Sequence, residues 1–543
     1  MADPLNPLIV QSDMSVLLEV LNPLFEEVRD ALTGFAELQK SPEYMYTYKI
    51  TPLSLWNAAG SGIPAEDAVG ILRKYAKHDV PEIVVTTMLG YGKRYGKVRL
   101  IEEDGAFFLE CADEDALTEV QSALKAPPGE RIRVSPAFRG QVKQILLKIG
   151  YPVLDMAGYA EAQAFRVVLN DSLKLRWYQE EAADAFHAGG SVSGGSGVIV
   201  LPCGAGKTIV GLAVMKKVNT ETLILTTGIT ALRQWRDEII DKTALQEGDI
   251  GEYSGEIKEI KPITITTYQT LTQRRDKNSP FIHFELFNSR NWGLIIYDEV
   301  HMLPAPVFRA TSEIQSKRRL GLTATLIRED GLETDVFSLI GSKKYDMSWK
   351  ILEKTGYIAE AFCTEIRVPL LAEDRYEYAI ASKRNKFRIA AENKNKQVAL
   401  SELLKKHQSD HIIIIGIYID QLKAISKELC APLITGASKS LEREQLYAAF
   451  KSGEEKVIVV SKVANFAIDL PDANVAIEVS GTFGSRQEEA QRLGRILRPK
   501  PGDNRAFFYT LVSEDTNEMD FSAKRQMFLT EQGYKYTIDR FEG

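Results

Sequence analysis

The chain is poor in cysteine, carries no excess of positive charge and has no long apolar run. Its four cysteines, Cys111, Cys203, Cys363 and Cys430, stand far apart with no Cys-x-x-Cys pair. That argues against a disulfide framework and a thiolate zinc site, and it suits a reducing compartment such as the cytoplasm. The six histidines are equally scattered. No apolar stretch approaches the roughly 20 residues of a membrane span; the strongest, Ile412 to Ile415 with its neighbours, is strand-sized. Met1-Ala2-Asp3-Pro4 is followed by neither a basic nor an apolar segment, so no secretory signal and no membrane partner are expected. A net charge of −7 lacks the overall basicity usual for a nucleic-acid binder. Any such function must confine its positive charge to one groove.

What the chain does have is two glycine- and acid-bearing turns, each behind an apolar run. Val198-Ile199-Val200-Leu201 leads into Gly204-Ala205-Gly206-Lys207-Thr208, and Leu294-Ile295-Ile296-Tyr297 leads into Asp298-Glu299-Val300-His301. A strand opening through glycines into a helix presents backbone N–H groups and a helix N-terminus to phosphate. Lys207 is placed to neutralise the β- and γ-phosphates and Thr208 to ligate Mg. Asp298 would complete the metal site, and Glu299 would take the proton of the attacking water. Alone, the first turn is equally a helix start and the second an ordinary solvated turn. Leu201 also stands where the full phosphate-loop pattern has Gly or Ala. Together and in this order, they point to hydrolysis of a nucleoside triphosphate, ATP.

With 543 residues, 44% of them hydrophobic and 26% charged, the chain reads as globular with three or four domains. Short apolar runs alternate with helical stretches in two series. The first comprises Val198–Leu201, Thr222–Thr226, Ile263–Thr267, Leu294–Tyr297 and Leu320–Thr325. The second comprises Ile412–Ile417, Lys456–Ser461, Val475–Ser480 and Phe507–Val512. Continuous β-branched runs between helices read as parallel strands covered on both faces. The fold class is therefore α/β, with two lobes facing each other. Tyr345 to Gln397 shows no clear strand series, but it carries the basic segment Lys383, Arg384, Lys386, Arg388, Lys394 and Lys396. That segment is either a nucleic-acid contact or a solvated helix face. Gly189 to Gly197 reads as a flexible Gly/Ser loop. Upstream, Ser15 to Leu38 reads as helical, and Thr51-Pro52 marks a helix start. Tyr91 to Leu100 interleaves aromatic, basic and glycine residues, as either a backbone contact or a hairpin tip.

Between the last two runs of the second series lies Gln487 to Arg498, where Gln491, Arg495 and Arg498 fall at i, i+4 and i+7 on one helical face. Arginines there can stabilise the transferring phosphoryl group. With this constellation the chain resembles the superfamily 2 helicases, and most closely the XPB family of DNA repair helicases and translocases in its short prokaryotic form. Leu175-Arg176-Trp177-Tyr178-Gln179 is similar to the adenine-reading motif, with Trp177 where relatives commonly have Pro. Leu201 to Thr208, including Cys203, is similar to the family's phosphate loop, which also lacks the leading Gly. Thr226-Thr227 with Arg233-Gln234-Trp235, and Thr266-Thr267-Tyr268-Gln269-Thr270, resemble strand-tracking motifs. Thr323-Ala324-Thr325 resembles the motif coupling hydrolysis to movement, and Arg328-Glu329-Asp330 directly after it the family's strand-separation triplet. Ser461 to Pro471 resembles a second-lobe motif.

The resemblance implies two tandem RecA-like parallel-sheet lobes with ATP and Mg between them. Lobe one would span 169–345 and lobe two 346–543, with a thumb-like insertion at 346–398. An N-terminal α+β accessory module would occupy 1–104 and a damage-recognition-like domain 105–168. Arg176, Gln179 and residues 203–208 would bind ATP, with Glu299, Gln491, Arg495 and Arg498 performing hydrolysis. His301, Gln269, Thr323 and Thr325 would couple the lobes. Thr227, Arg233, Thr267, Arg328, Glu329, Asp330, Lys383 and Arg384 would contact or open DNA at single-strand/duplex junctions without regard to sequence. The implied function is an ATP-dependent DNA helicase in DNA repair. The alternatives are a duplex translocase that never separates strands and an ATP-switched scaffold for a partner nuclease; residues alone leave RNA open as the substrate.

Overall fold

A computed structural model describes residues 3–40, 44–128, 131–135, 138–158, 162–190, 194–276, 281–303, 318–325, 333–461, 473–482, 486–499 and 504–542. The chain divides into two compact units: residues 1–201 with 206–347, and residues 202–205 with 348–543.

Each unit holds a seven-stranded, all-parallel sheet. From edge to edge the first runs Ile250–Tyr253, Ile263–Thr267, Thr222–Thr226, Leu294–Asp298, Arg318–Thr323, Ser196–Val200, Lys343–Asp346. The second runs Leu433–Ile434, Val457–Ser461, Ile412–Gly416, Val475–Glu478, Arg505–Ser513, Glu360–Val368, Tyr536–Arg540. Numbered by chain order within each sheet, both read 3-4-2-5-6-1-7. One plan is used twice, as expected for tandem RecA-like lobes. Inner strands such as Ile412–Gly416 and Leu294–Tyr297 are buried along their length because helices cover both faces.

All nine strands read from sequence are present. Corrections concern the polar ones. Tyr345–Gln397 is not strandless: Glu360–Val368 is a nine-residue strand of the second sheet, in the slot that Ser196–Val200 fills in the first. Its alternating exposure, with Glu360 and Phe362 outward and Ala361 and Cys363 inward, breaks the continuous apolar run that marks a fully covered strand. Beyond it, after the helix Ala372–Ile380, the helices Lys383–Ala391 and Asn395–Lys406 carry the basic segment, with Lys394 between them.

The N-terminal part of the first unit contains two smaller sheets. Leu8–Val10, Ser15–Glu19, Met45–Lys49 and Glu37–Lys40 form an antiparallel sheet. Ser15 to Leu38 is thus strand, helix (Phe25–Thr33) and strand rather than helical throughout; Val16 and Leu18 point inward at period two. Thr51 does start a helix, Pro52–Gly60: its Oγ1 accepts from Ser54 N (3.0 Å) and Ser54 Oγ accepts from Thr51 N (3.0 Å). Tyr91–Arg94 is neither a hairpin tip nor an extended segment but the last turn of the helix Glu82–Arg94. The second small sheet orders Ile132–Val134, Ala106–Cys111, Val98–Glu103, Val153–Asp155. A boundary at 104/105 falls inside the hairpin Val98–Glu103/Ala106–Cys111, so this sheet begins at Val98.

Polar contacts tie these elements to the first large sheet. Lys343, on the outermost strand, donates its N–H to Asn57 Oδ1 (3.3 Å), and its carbonyl accepts from Ser61 Oγ (2.8 Å). Gln144 Nε2 donates to Asp335 Oδ1 (3.2 Å). Among the described residues no helix is long and apolar enough to cross a membrane.

Candidate active site

Two adjacent carboxylates and one ammonium make up the centre of the site. Ser196–Val200 ends in the turn Pro202–Gly206, and Lys207 and Thr208 open the helix Lys207–Val218. Gly206 sits at φ +81°, in the left-handed region, and a Cβ there would lie 2.6 Å from Gln179 Nε2. Only glycine satisfies both demands. Gln179 is buried, and its Oε1 accepts from Arg176 N (3.0 Å), so the residue read as adenine-binding packs on the phosphate loop. Arg176 donates from Nη1 to Tyr178 OH (3.0 Å). Ala205 is buried, Gly204 exposed, and Cys203, Lys207 and Thr208 are half-buried.

Lys207 Nζ lies 3.3 Å from Glu299 Oε1, with the two side chains 13% and 20% exposed. Burial raises the Glu299 pKa, but Lys207, His301 and the Ala324 N–H outweigh it, so the carboxyl is held below its ordinary range and ionised. Asp298 is pushed the other way, up to about 6, first by burial and then by the Glu299 charge. Its Oδ2 accepts from Trp235 Nε1 (3.0 Å), its Oδ1 from Glu299 N (3.1 Å), and its carbonyl from Tyr268 OH (2.8 Å). Trp235 and Tyr268, which belong to the motifs that resemble strand-tracking ones, both hold Asp298. Glu299 adopts φ +47°, ψ 56°, a left-handed conformation that costs a non-glycine residue free energy.

His301 is buried behind Glu299: its Nδ1 lies 2.7 Å from Thr323 Oγ1 and 3.5 Å from Glu299 Oε2. Thr323 Oγ1 in turn accepts from Thr325 N (3.1 Å). Of the residues expected to couple hydrolysis to movement, His301 touches the expected base and Thr323 reaches it through His301. Gln269 is exposed on the short helix Tyr268–Leu271.

The expected nucleic-acid contacts are less uniform. Thr227 is half-buried, and Arg233, Lys383 and Arg384 are exposed. Thr267 is buried as a helix cap, its Oγ1 accepting from Thr270 N (3.1 Å), so its hydroxyl is committed internally. Lys396 is likewise no part of an exposed patch. It is 1% exposed, with Nζ 2.8 Å from Glu518 Oε2 and 3.1 Å from the Val479 carbonyl. Arg328, Glu329 and Asp330, and Lys462 to Pro471, lie outside the described residues. Gln491 lies on the helix Arg486–Ile496, as does Arg495, whose side chain is outside the described atoms. Arg498 is not on that helix but two residues past its end. Pro499 disfavours the helical conformation at Arg498, and that signal was in the sequence.

Over 541 residues the chain is 51% identical to a DNA 3'-5' helicase XPB of Mycobacterium tuberculosis, covering 98% of this chain and 97% of that one. The chain belongs to the XPB helicase family. A second XPB, from Kineococcus radiotolerans, is 50% identical over 98% of this chain and 96% of its own length. The transcription and DNA repair factor IIH helicase/translocase subunit XPB/SSL2 of Saccharomyces cerevisiae is 31% identical over 98% of this chain and 71% of that one. The family model for the ERCC3/RAD25/XPB C-terminal helicase matches residues 352–540. A model for the res subunit of type III restriction enzymes matches 172–328, and a helicase conserved C-terminal domain model matches 8–133. Against solved structures, the chain aligns with an RNA-bound Dbp5 of S. cerevisiae at a TM-score of 0.49 and 13% identity, covering 74% of this chain and 93% of that one. That likeness adds nothing to the XPB assignment.

Proposed function

We propose that this XPB-family chain is an ATP-dependent DNA helicase that moves 3' to 5'. The carrying observation is the Lys207–Glu299–His301–Thr323 chain of contacts, which joins a phosphate-binding lysine, a base and a coupling motif within hydrogen-bond and ion-pair range. The DNA substrate and the polarity rest on the similarity to the bacterial DNA 3'-5' helicases.

Lys207 and the loop N–H groups hold the phosphates, while Gln179 and Arg176 hold the base. Glu299, kept ionised, accepts the proton of the attacking water. Magnesium suits the donor set: the Thr208 hydroxyl and Asp298 carboxylate are hard oxygens. The two carboxylates also outnumber the lysine, leaving negative charge for a cation to offset. When bound, the ion screens the phosphate charge. Gln491 helps position the water, and Arg495 and Arg498 stabilise charge on the transferring group. Thr227, Arg233, Lys383 and Arg384 contact the DNA backbone, so binding is independent of sequence and weakens steeply with salt. The triplet Arg328-Glu329-Asp330 opens the strands. The yeast relative's description as a helicase/translocase favours one second reading, movement on duplex without opening it.

The deciding test is ATP hydrolysis by the purified chain alone and with single-stranded DNA, duplex DNA or single-stranded RNA. Stimulation by DNA and not by RNA is expected, followed by unwinding of a forked substrate. A rate that ignores all three nucleic acids would overturn the reading, and stimulation without unwinding would establish the translocase. The same assay tests the metal site. Trp235→Phe removes the Nε1–H that holds Asp298 Oδ2. It is expected to raise the half-saturating Mg concentration about tenfold, the usual cost of losing an outer-shell hydrogen bond. An unchanged Mg titration would remove Asp298 from the metal site.

A further inference from the structure

Beneath the helix Arg486–Ile496 lies a set of ionic side chains with no access to water. Arg492 is 0% exposed, and its Nη1 donates to Glu478 Oε2 (2.5 Å) and its Nη2 to Glu488 Oε2 (3.3 Å). Arg525, from the helix Glu518–Glu531, reaches the same place from the other side. Its Nη2 lies 3.0 Å from Glu478 Oε1 and its Nε 3.5 Å from Glu489 Oε2, and its Nη1 donates to the Thr482 carbonyl (2.8 Å). Tyr536 OH donates to Glu489 Oε1 (3.2 Å). Glu478 closes Val475–Glu478, the strand that holds in the second sheet the place Leu294–Asp298 holds in the first. A Cβ on Gly481 would lie 2.0 Å from Glu478 Oε1 and 2.2 Å from Arg525 Cζ, so no larger residue fits over the pair.

A packed apolar cluster would avoid the desolvation cost of burying these ions, so overall stability is a poor reason for the arrangement. Directional bonds offer something an apolar cluster does not, a single rotation and register for the helix. Arg492 directly follows Gln491, and successive residues stand about 100° apart around a helix. Any roll that shifts Arg492 therefore swings Gln491 with it. Burial and the Glu478 charge push Glu489 up to about 8, while Arg492 and Arg525 outweigh burial and hold Glu478 ionised. One carboxylate thus anchors both arginines.

We propose that Glu478 and Arg525 are positioning residues for ATP hydrolysis, fixing through Arg492 the helix that presents Gln491 and Arg495 and leads into Arg498. The inference rests on the reading that those three residues act on ATP. Neither Glu478 nor Arg525 touches the nucleotide; each acts by holding the helix that does.

The test is DNA-stimulated hydrolysis by full-length Glu478→Gln and Arg525→Gln, with hydrogen exchange followed over peptides spanning 486–496. kcat is expected to fall tenfold to about a hundredfold, the scale of small misplacements at a reacting centre. KM for ATP should stay within about twofold, because the phosphate loop is untouched, and amide exchange in 486–496 should quicken. Glu489→Gln, which keeps a donor towards Glu478, should retain kcat within about twofold. Wild-type kcat in folded Glu478→Gln would overturn the proposal. Should the single variants not fold, a triple replacement of Glu478, Arg492 and Arg525 by Met supplies an apolar core. Such a protein, folded and fully active, would overturn the proposal equally. If the wild-type chain did not hydrolyse ATP, the functional reading would fail. The exchange comparison would still decide the anchoring, and unchanged exchange would refute it.

Discussion

Lys207→Ala is expected to cut ATP turnover by about 10³-fold or more, as measured by phosphate release at saturating DNA. Loss of one preorganised donor to a developing anion costs about 10²–10³ in kcat, and this donor also carries the charge opposing the transferring phosphates. Lys207 has a second duty in this site. Its Nζ, 3.3 Å from Glu299 Oε1, is the first of the groups that hold that carboxyl ionised against burial. Without the ammonium, burial of Glu299 is opposed only by His301 and the Ala324 N–H, and its carboxyl shifts towards the protonated form. Phosphate binding and base strength therefore fail together, and affinity for ATP should drop with the rate. Wild-type turnover in this variant would remove the phosphate loop from the mechanism.

Glu299→Gln should be comparably severe but fail differently. The amide is the same size, fits the same left-handed backbone and can still face Lys207 and His301, so folding should be preserved. It cannot accept the proton, which is worth about 10²–10⁴ in rate. Because the change removes a negative charge beside the phosphates, ATP affinity should hold or increase. A fluorescent-nucleotide titration beside the turnover assay separates the cases: both quantities fall in Lys207→Ala, and only the rate falls in Glu299→Gln. Weakened nucleotide binding in Glu299→Gln would assign that residue to binding rather than proton transfer.

The parts of the fold legible in the sequence are those buried on both faces. Ile412–Gly416 and Leu294–Tyr297 are unbroken apolar runs because helices cover each side. Lys343–Asp346 and Tyr536–Arg540 leave no such signal because they lie at sheet edges, where polar side chains face solvent and the apolar pattern is lost. The site followed the same rule of distance. Lys207, Thr208, Asp298 and Glu299 announce themselves by short-range spacing. The Trp235 bond to Asp298 spans 63 residues and leaves no local trace. Lys396 shows the opposite failure: its charge marked it as surface, yet Glu518, 122 residues further along the chain, takes it into the interior.

The bonds between the Lys343 backbone and the side chains of Asn57 and Ser61 bear on how this motor can be taken apart. Lys343 belongs to the last strand of its sheet, and a strand with unfilled N–H and C=O groups recruits other strands. The Asn57 and Ser61 side chains fill two of those groups, the Lys343 N–H and C=O. A fragment lacking them would leave both Lys343 groups open at the sheet edge, where another strand can pair. Dissection experiments on this chain therefore need a way to tell a released motor from a self-associating one.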